Sequence, residues 1–354
     1  MQNKNTVSGT RTGGAKTVSI AYPRKGSAQI GALILILLIN WMVSPQFFDL
    51  RLQDGRLFGS LVDVFNRGAP VVLLATGMVL VIATRGIDLS VGAVMAISGA
   101  VAASLADSHS LAVCLAAALS TGLLCGLWNG LLVAVLRIQP IIATLILMVA
   151  GRGIAQLITE GRIVTFSSPD LAWIGSGALL GLPAPVVLAA ATLLVAVLLA
   201  RGTALGLMIE ATGANARASR LAGIDTRLMI LAVYMWCGFC AALAGVIAAA
   251  DIRGADANNA GLWLELDAIL AVVIGGTSLF GGRFSLVLAA VGGLIIQAMN
   301  TGILLSGYQP ELNLVIKATV VLAVLLLQTP RLAAARDRLL RGRHPRNRLL
   351  RETR

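Results

Sequence analysis

The sequence predicts an all-α fold: a polytopic transmembrane helical bundle of about ten spans, with the N and C termini cytoplasmic. Three observations predict it. The 354 residues are 57% hydrophobic and 12% charged, about half the charge of an ordinary soluble domain, and the mean hydropathy is +0.87. The apolar residues gather in stretches close to the ~20 residues a helix needs to cross a bilayer. The 28 Lys and Arg are segregated along the chain rather than scattered. The net charge of +12 sits at the two ends and in one loop, so it reads as topology and excludes nucleic acid as a partner.

Residues 1–27 form a polar, basic cytoplasmic N-tail with Lys4, Arg11, Lys16, Arg24 and Lys25. No small-residue cleavage pattern follows the first apolar run, so 28–44 reads as a retained first span. Further candidate spans cover 68–84, 90–106, 111–136, 140–158, 184–200, 228–250, 265–281, 284–305 and 312–328. Several are short, which hints at broken or tilted helices. The transmembrane domain therefore runs over 28–330, and 331–354 is a basic cytoplasmic C-tail. Ten spans place both tails, Arg85, Arg137, Arg283 and the 201–227 loop on one side. That side then holds 21 Lys and Arg against 5 opposite, which marks it as cytoplasmic.

Within the spans, Gly122, Gly126 and Gly130 make two G-x-x-x-G steps, a face on which helix backbones approach closely. Cys114, Cys125, Cys237 and Cys240 lie in apolar spans, and packing is the expectation for all four. Glu265 and Asp267 are expected at the solvated outer start of their span, with Lys317 snorkelling outward.

The joint between the second and third spans is unusual. Arg85, Gly86, Asp88, Ser90 and Gly92 interrupt two apolar runs. A charge at a membrane helix centre costs about 2.5–3.5 kcal/mol on insertion scales, so such a joint marks a path or a hinge. The amides Asn129, Gln156, Gln297 and Asn300 and the aromatics Trp128 and Trp236 also lie well inside spans. They suit a neutral polyhydroxyl solute, and helix–helix hydrogen bonding explains each amide equally well.

The 201–227 loop is apolar on one side (Leu205, Met208, Ile209, Leu221). It contains one short helix with Asn215 as N-cap and Gly223 in the left-handed position after the last turn. Arg217 and Arg220 share a face of that helix. This is the pattern of an element that docks to a cytoplasmic partner. The sequence has no G-x-x-x-x-G-K-[ST], H-E-x-x-H or G-x-S-x-G motif. Neither catalytic residues, nor a metal, nor a cofactor are expected, so uphill transport would draw on a partner ATPase or an ion gradient.

The run Ile82–Gly92 (I-A-T-R-G-I-D-L-S-V-G) resembles the G-G-I-D-L-S-V-G signature of ribose-type sugar ABC transporter permeases. Glu210–Asp225 resembles that family's ATPase-contacting segment, and Ile274–Arg283 (I-G-G-T-S-L-F-G-G-R) its third signature. Gln53–Ser60, Ala143–Gln156 and Ala249–Ile274 look like the galactofuranose-transporting subgroup. The resemblance implies a permease subunit of a bacterial inner-membrane ABC importer for a sugar, galactofuranose or a related monosaccharide. It implies a cytosolic ABC ATPase, a periplasmic sugar-binding protein and a second permease subunit, more readily a heterodimer than a homodimer. Carried onto this chain, Gly86, Asp88, Ser90, Gly92, Trp128, Asn129 and Asn300 are expected near the substrate path. Glu210, Asn215, Arg217, Arg220 and Gly223 are expected to couple to the ATPase. Arg85 replaces the family's first signature glycine and is expected to face the cytoplasm. The alternatives are a branched-chain amino-acid ABC permease, for which only Arg85, Asp88 and Arg152 could hold a zwitterion, and an ion-coupled secondary carrier.

Overall fold

A computed structural model describes residues 26–53, 56–179, 181–307, 312 and 314–319. Nearly all of the N-tail, the whole C-tail and most of the 312–328 candidate span lie outside the described residues. Eleven helices stand among them: α1 (Ser27–Val43), α2 (Ser60–Ala83), α3 (Val91–Leu105), α4 (Leu111–Ala134), α5 (Pro140–Ile158), α6 (Pro169–Ser176), α7 (Ala184–Gly202), α8 (Leu205–Leu221), α9 (Thr226–Asp251), α10 (Leu264–Ile274) and α11 (Leu286–Leu305). Six of them, α2, α4, α5, α7, α9 and α11, are long and apolar enough to cross a membrane. The apolar helices α1 and α3 are shorter, at 17 and 15 residues.

Short antiparallel strand pairs stitch the connections. β1 (Arg51–Gln53) pairs with β2 (Arg56–Phe58), and β4 (Ala178–Leu179) with β5 (Leu182–Pro183). β3 (Val164–Thr165) pairs with the distant β6 (Gly254–Ala255). Neither these ladders nor α6 has a periodic apolar signal, which is why the sequence reading passes over them.

Helix α2 is the buried post of the bundle. Every residue from Val71 to Ala83 is buried, as expected of a helix that is apolar all round. It begins at Ser60, eight residues before the expected 68, because Pro70 sits inside the helix without ending it. Pro70 simply has no N–H to give the Asn66 carbonyl one turn back. Helix α9 packs on α2, α3 and α4. Its seam with α4 uses the expected glycines: a Cβ on Gly122 would strike the Gly238 carbonyl, and one on Gly126 the Tyr234 carbonyl.

The 265–281 candidate span is corrected to an 11-residue helix, α10. Gly276 (φ +83) is left-handed, and Thr277 N–H closes the end on the Val272 carbonyl at 3.2 Å. Before α10, the chain turns back into the bundle. Gly261 (φ +70) lies so close to Gly92 that a side chain on either would strike the other's carbonyl. Glu265 and Asp267 are buried rather than solvated, and Lys317 reaches inward to bond Asp267 at 2.7 Å. A carboxylate and an ammonium drawn from water need each other, so pairing replaces the expected solvation.

Candidate functional site: a capped joint and a separate cavity

The joint between α2 and α3 is built from local capping. Arg85 takes a left-handed φ of 68°, which lets the Arg85 and Gly86 N–H groups bond the carbonyls of Ile82 and Val81, each at 2.9 Å. Gly86 is required there, because a Cβ would lie 2.6 Å from the Tyr234 hydroxyl. Asp88 Oδ1 then accepts from Ser90 N–H at 2.9 Å and Ser90 Oγ at 2.6 Å. From α4, Asn129 Nδ2 donates to Ser90 Oγ at 2.8 Å and to Asp88 Oδ1 at 3.4 Å. From α5, Thr144 Oγ1 accepts the Leu89 N–H at 3.1 Å. Asp88, Ser90, Asn129 and Thr144 are all buried. Asn129 Oδ1 and the Tyr234 hydroxyl have no hydrogen-bond partner among the described residues.

The 201–227 segment packs on this joint. Helix α8 breaks at Asn215 (φ −158, ψ 95). Asn215 Oδ1 accepts the N–H groups of Arg217 at 3.1 Å and Ala218 at 3.0 Å, so the expected N-cap is in place. A second helical stretch before the break, from Leu205, corrects the single short helix expected in this loop. Gly223 (φ +86) follows the last turn, and Ile224 N–H bonds the Ser219 carbonyl at 3.0 Å. Ahead of the break, Gly213 presses on the Ala83 carbonyl. Arg85 Nη2 donates to the Ala214 carbonyl at 2.7 Å. Arg85 thus faces α8. Arg217 and Leu221 are exposed, and Arg220 Nη1 reaches Thr226 Oγ1 at 3.3 Å. Glu210 borders a cleft with Arg201 and Arg283.

A cavity of about 450 Å³ opens between α2, α3, α9 and α11, on the far side of the bundle from α8. Its polar lining is Asn66, Arg67, Asp251, Asp256, Asn259 and Gln297. The turned-back segment carries Asp256, whose carboxylate accepts the N–H groups of Asn258 and Asn259 and the Asn259 amide at 2.7 Å. The Asn259 amide holds the Asp256 carboxyl below the usual carboxylate range. From α5, Arg152 Nη1 donates to the carbonyls of Ala257 and Ala260. Gln156 Nε2 adds a 2.8 Å bond to Asn258 Oδ1.

The sequence-named residues divide between these places. Gly86, Asp88, Ser90 and Asn129 come together at the joint, and Gly92 meets Gly261. None of these lines the cavity. Trp128 is 51% exposed on the outside of α4, and Asn300 is half-buried with Oδ1 unpartnered among the described residues. Of the amides singled out in the sequence, Gln297 alone reaches the cavity lining. Asn66 was missed; its signal was the Asn66-Arg67 pair lying one turn before Pro70 in an otherwise apolar run.

Residues 60–325 match the family described as branched-chain amino acid transport system / permease component. The chain is 64% identical to the galactofuranose transporter permease protein YtfT of Escherichia coli (strain K12), over 86% of this chain and 90% of that one. It is 42% identical to the fructose import permease protein FruF of Bifidobacterium longum (strain NCC 2705), over 86% and 87%. It is 37% identical to the ribose import permease protein RbsC of Escherichia coli (strain K12), over 89% and 96%. No solved structure matches the chain.

Proposed function

The chain belongs to the branched-chain amino acid transport system / permease component family, and from that premise we propose that it carries a monosaccharide, galactofuranose or a close relative, through the bacterial inner membrane. It is a multi-pass permease subunit of a sugar ABC importer. The single observation that carries the choice of sugar is the 64% identity, along 86% of the chain, to a galactofuranose permease. Fructose and ribose permeases as further relatives favour a sugar over a branched-chain amino acid.

Ten crossings with both termini inside agree with the charge asymmetry. This reading counts as crossings the six long helices, α1, α3, α10 with its turned-back lead, and the 312–328 candidate span, most of which lies outside the described residues. The energy comes from a cytosolic ABC ATPase, and solute arrives on a periplasmic sugar-binding protein. A second, different permease subunit completes the pore.

The chain's own part is mechanical. ATPase docking at Asn215–Gly223, through Arg217, Arg220 and the exposed Leu221, moves the second half of α8. The first half transmits that motion, because Gly213 and Ala214 already touch Ala83 and Arg85 at the end of α2. The Asp88–Ser90–Asn129 cluster keeps the joint rigid, so α2 and α3 tilt together beside the path. Glu210 steadies the inner cleft. Trp128 and Asn300 are the positions from which a second subunit and the path would be met. Reconstitution tests the reading. Liposomes holding the chain, its ATPase and a sugar-binding protein are expected to take up sugar only with ATP; uptake driven by a proton or sodium gradient alone would replace it with the secondary carrier.

A further inference from the structure

The 450 Å³ cavity lies within the roughly 300–1,000 Å³ typical of small-molecule sites. Two amides meet in it. Asn66 Oδ1 is buried and has no hydrogen-bond partner among the described residues. Gln297 is 8% exposed, and no hydrogen bond engages its amide among the described residues. The buried Asn66 oxygen lacks a donor, and the Gln297 amide beside it in the lining is open both to donate and to accept.

The charges are placed differently. Arg67 and Asp251 are exposed, and Asp256 is occupied by Asn258 and Asn259. A zwitterion would be met by Arg67 and Asp251 at the exposed part of the lining, whereas the less exposed Asn66 and Gln297 present amides without net charge. A hydroxyl both donates and accepts, which matches an amide pair without net charge. The bottom is fixed. Arg152 holds the carbonyls of Ala257 and Ala260, and Gly261 rests on Gly92.

We propose that this cavity is a monosaccharide subsite within a single chain, with the Asn66 and Gln297 amides as its hydroxyl partners and residues 256–261 as its floor. The proposal rests on the sugar-importer reading and deepens it, placing one binding step inside this subunit, apart from the shared pore.

The test uses the complete transporter in liposomes and D-galactose, D-fructose and D-ribose as probes. Asn66→Leu and Gln297→Leu are expected to raise KM for the transported sugar about tenfold, the loss of one hydrogen bond to substrate. A second measurement guards against misfolding. Asn66→Cys in the otherwise unchanged chain is expected to react with a membrane-impermeant thiol reagent added outside, above the wild-type background. The transported sugar should slow that reaction, and L-leucine should not. An unreactive cysteine, a reaction no sugar slows, or an unchanged KM in both leucine variants overturns the subsite while wild-type sugar uptake still supports the importer. Absence of wild-type uptake of any sugar overturns the importer reading itself, and protection by L-leucine then reassigns the cavity to an amino acid.

Discussion

Asn129 ties α4 to the start of α3 with one amide. It reaches from α4 to Ser90 Oγ at 2.8 Å and Asp88 Oδ1 at 3.4 Å, at the start of α3. Replacing it with leucine leaves a buried carboxylate short of a donor. Asn129→Leu is expected to destabilise the chain by about 1–3 kcal/mol, read as a lower thermal midpoint in detergent, and to slow transport while ATPase association persists. An unchanged midpoint would remove Asn129 from the brace. The residue types of this joint were legible in the sequence, because charge and amide are rare in apolar runs. Their partners were not. Asp88 and Asn129 are 41 positions apart, and nothing in a linear string says that both point at Ser90. Glu265 and Asp267 show the same limit: their charge was visible, and their burial was not.

Among the helices, the α4–α9 seam was readable as a G-x-x-x-G face, since small residues are what lets membrane helices touch. The partner helix was decided by packing. Gly126→Leu drives a side chain into the Tyr234 carbonyl and the Met235 backbone. A cost of about 1–3 kcal/mol or more is expected, seen as loss of monodisperse protein. Gly153→Leu on α5 is the control; a Cβ there meets nothing within 4 Å, so its yield should match wild type. Helix α8 was half legible. Its Asn215 cap and Gly223 stop carry sequence signals, whereas the start of the stretch before the break is marked only by Thr203, whose Oγ1 accepts the Leu205 N–H at 3.2 Å. Reversing the charge at Arg217 and Arg220 to Glu is expected to abolish ATP-driven uptake or ATPase pull-down with membrane insertion intact. Normal uptake would move the docking surface elsewhere.

Across the whole molecule, both ends are expected on the same face. Single cysteines placed in the N-tail and in the C-tail should resist a membrane-impermeant reagent in intact cells and react after lysis. Labelling of either tail in intact cells would overturn the ten-span topology. The amino-acid string by itself determined the class of the protein, a multi-pass membrane permease, and the Asn215 cap and Gly223 stop of α8. Hydropathy, charge asymmetry and helix caps are local quantities summed along a chain, and they need no knowledge of neighbours. Only the tertiary structure decided that α10 has 11 residues rather than the 17 expected, that Lys317 turns inward to Asp267, and that Asn66 and Gln297, 231 positions apart, face one cavity. Those features depend on which buried groups find each other once water is excluded, and that pairing exists only in three dimensions.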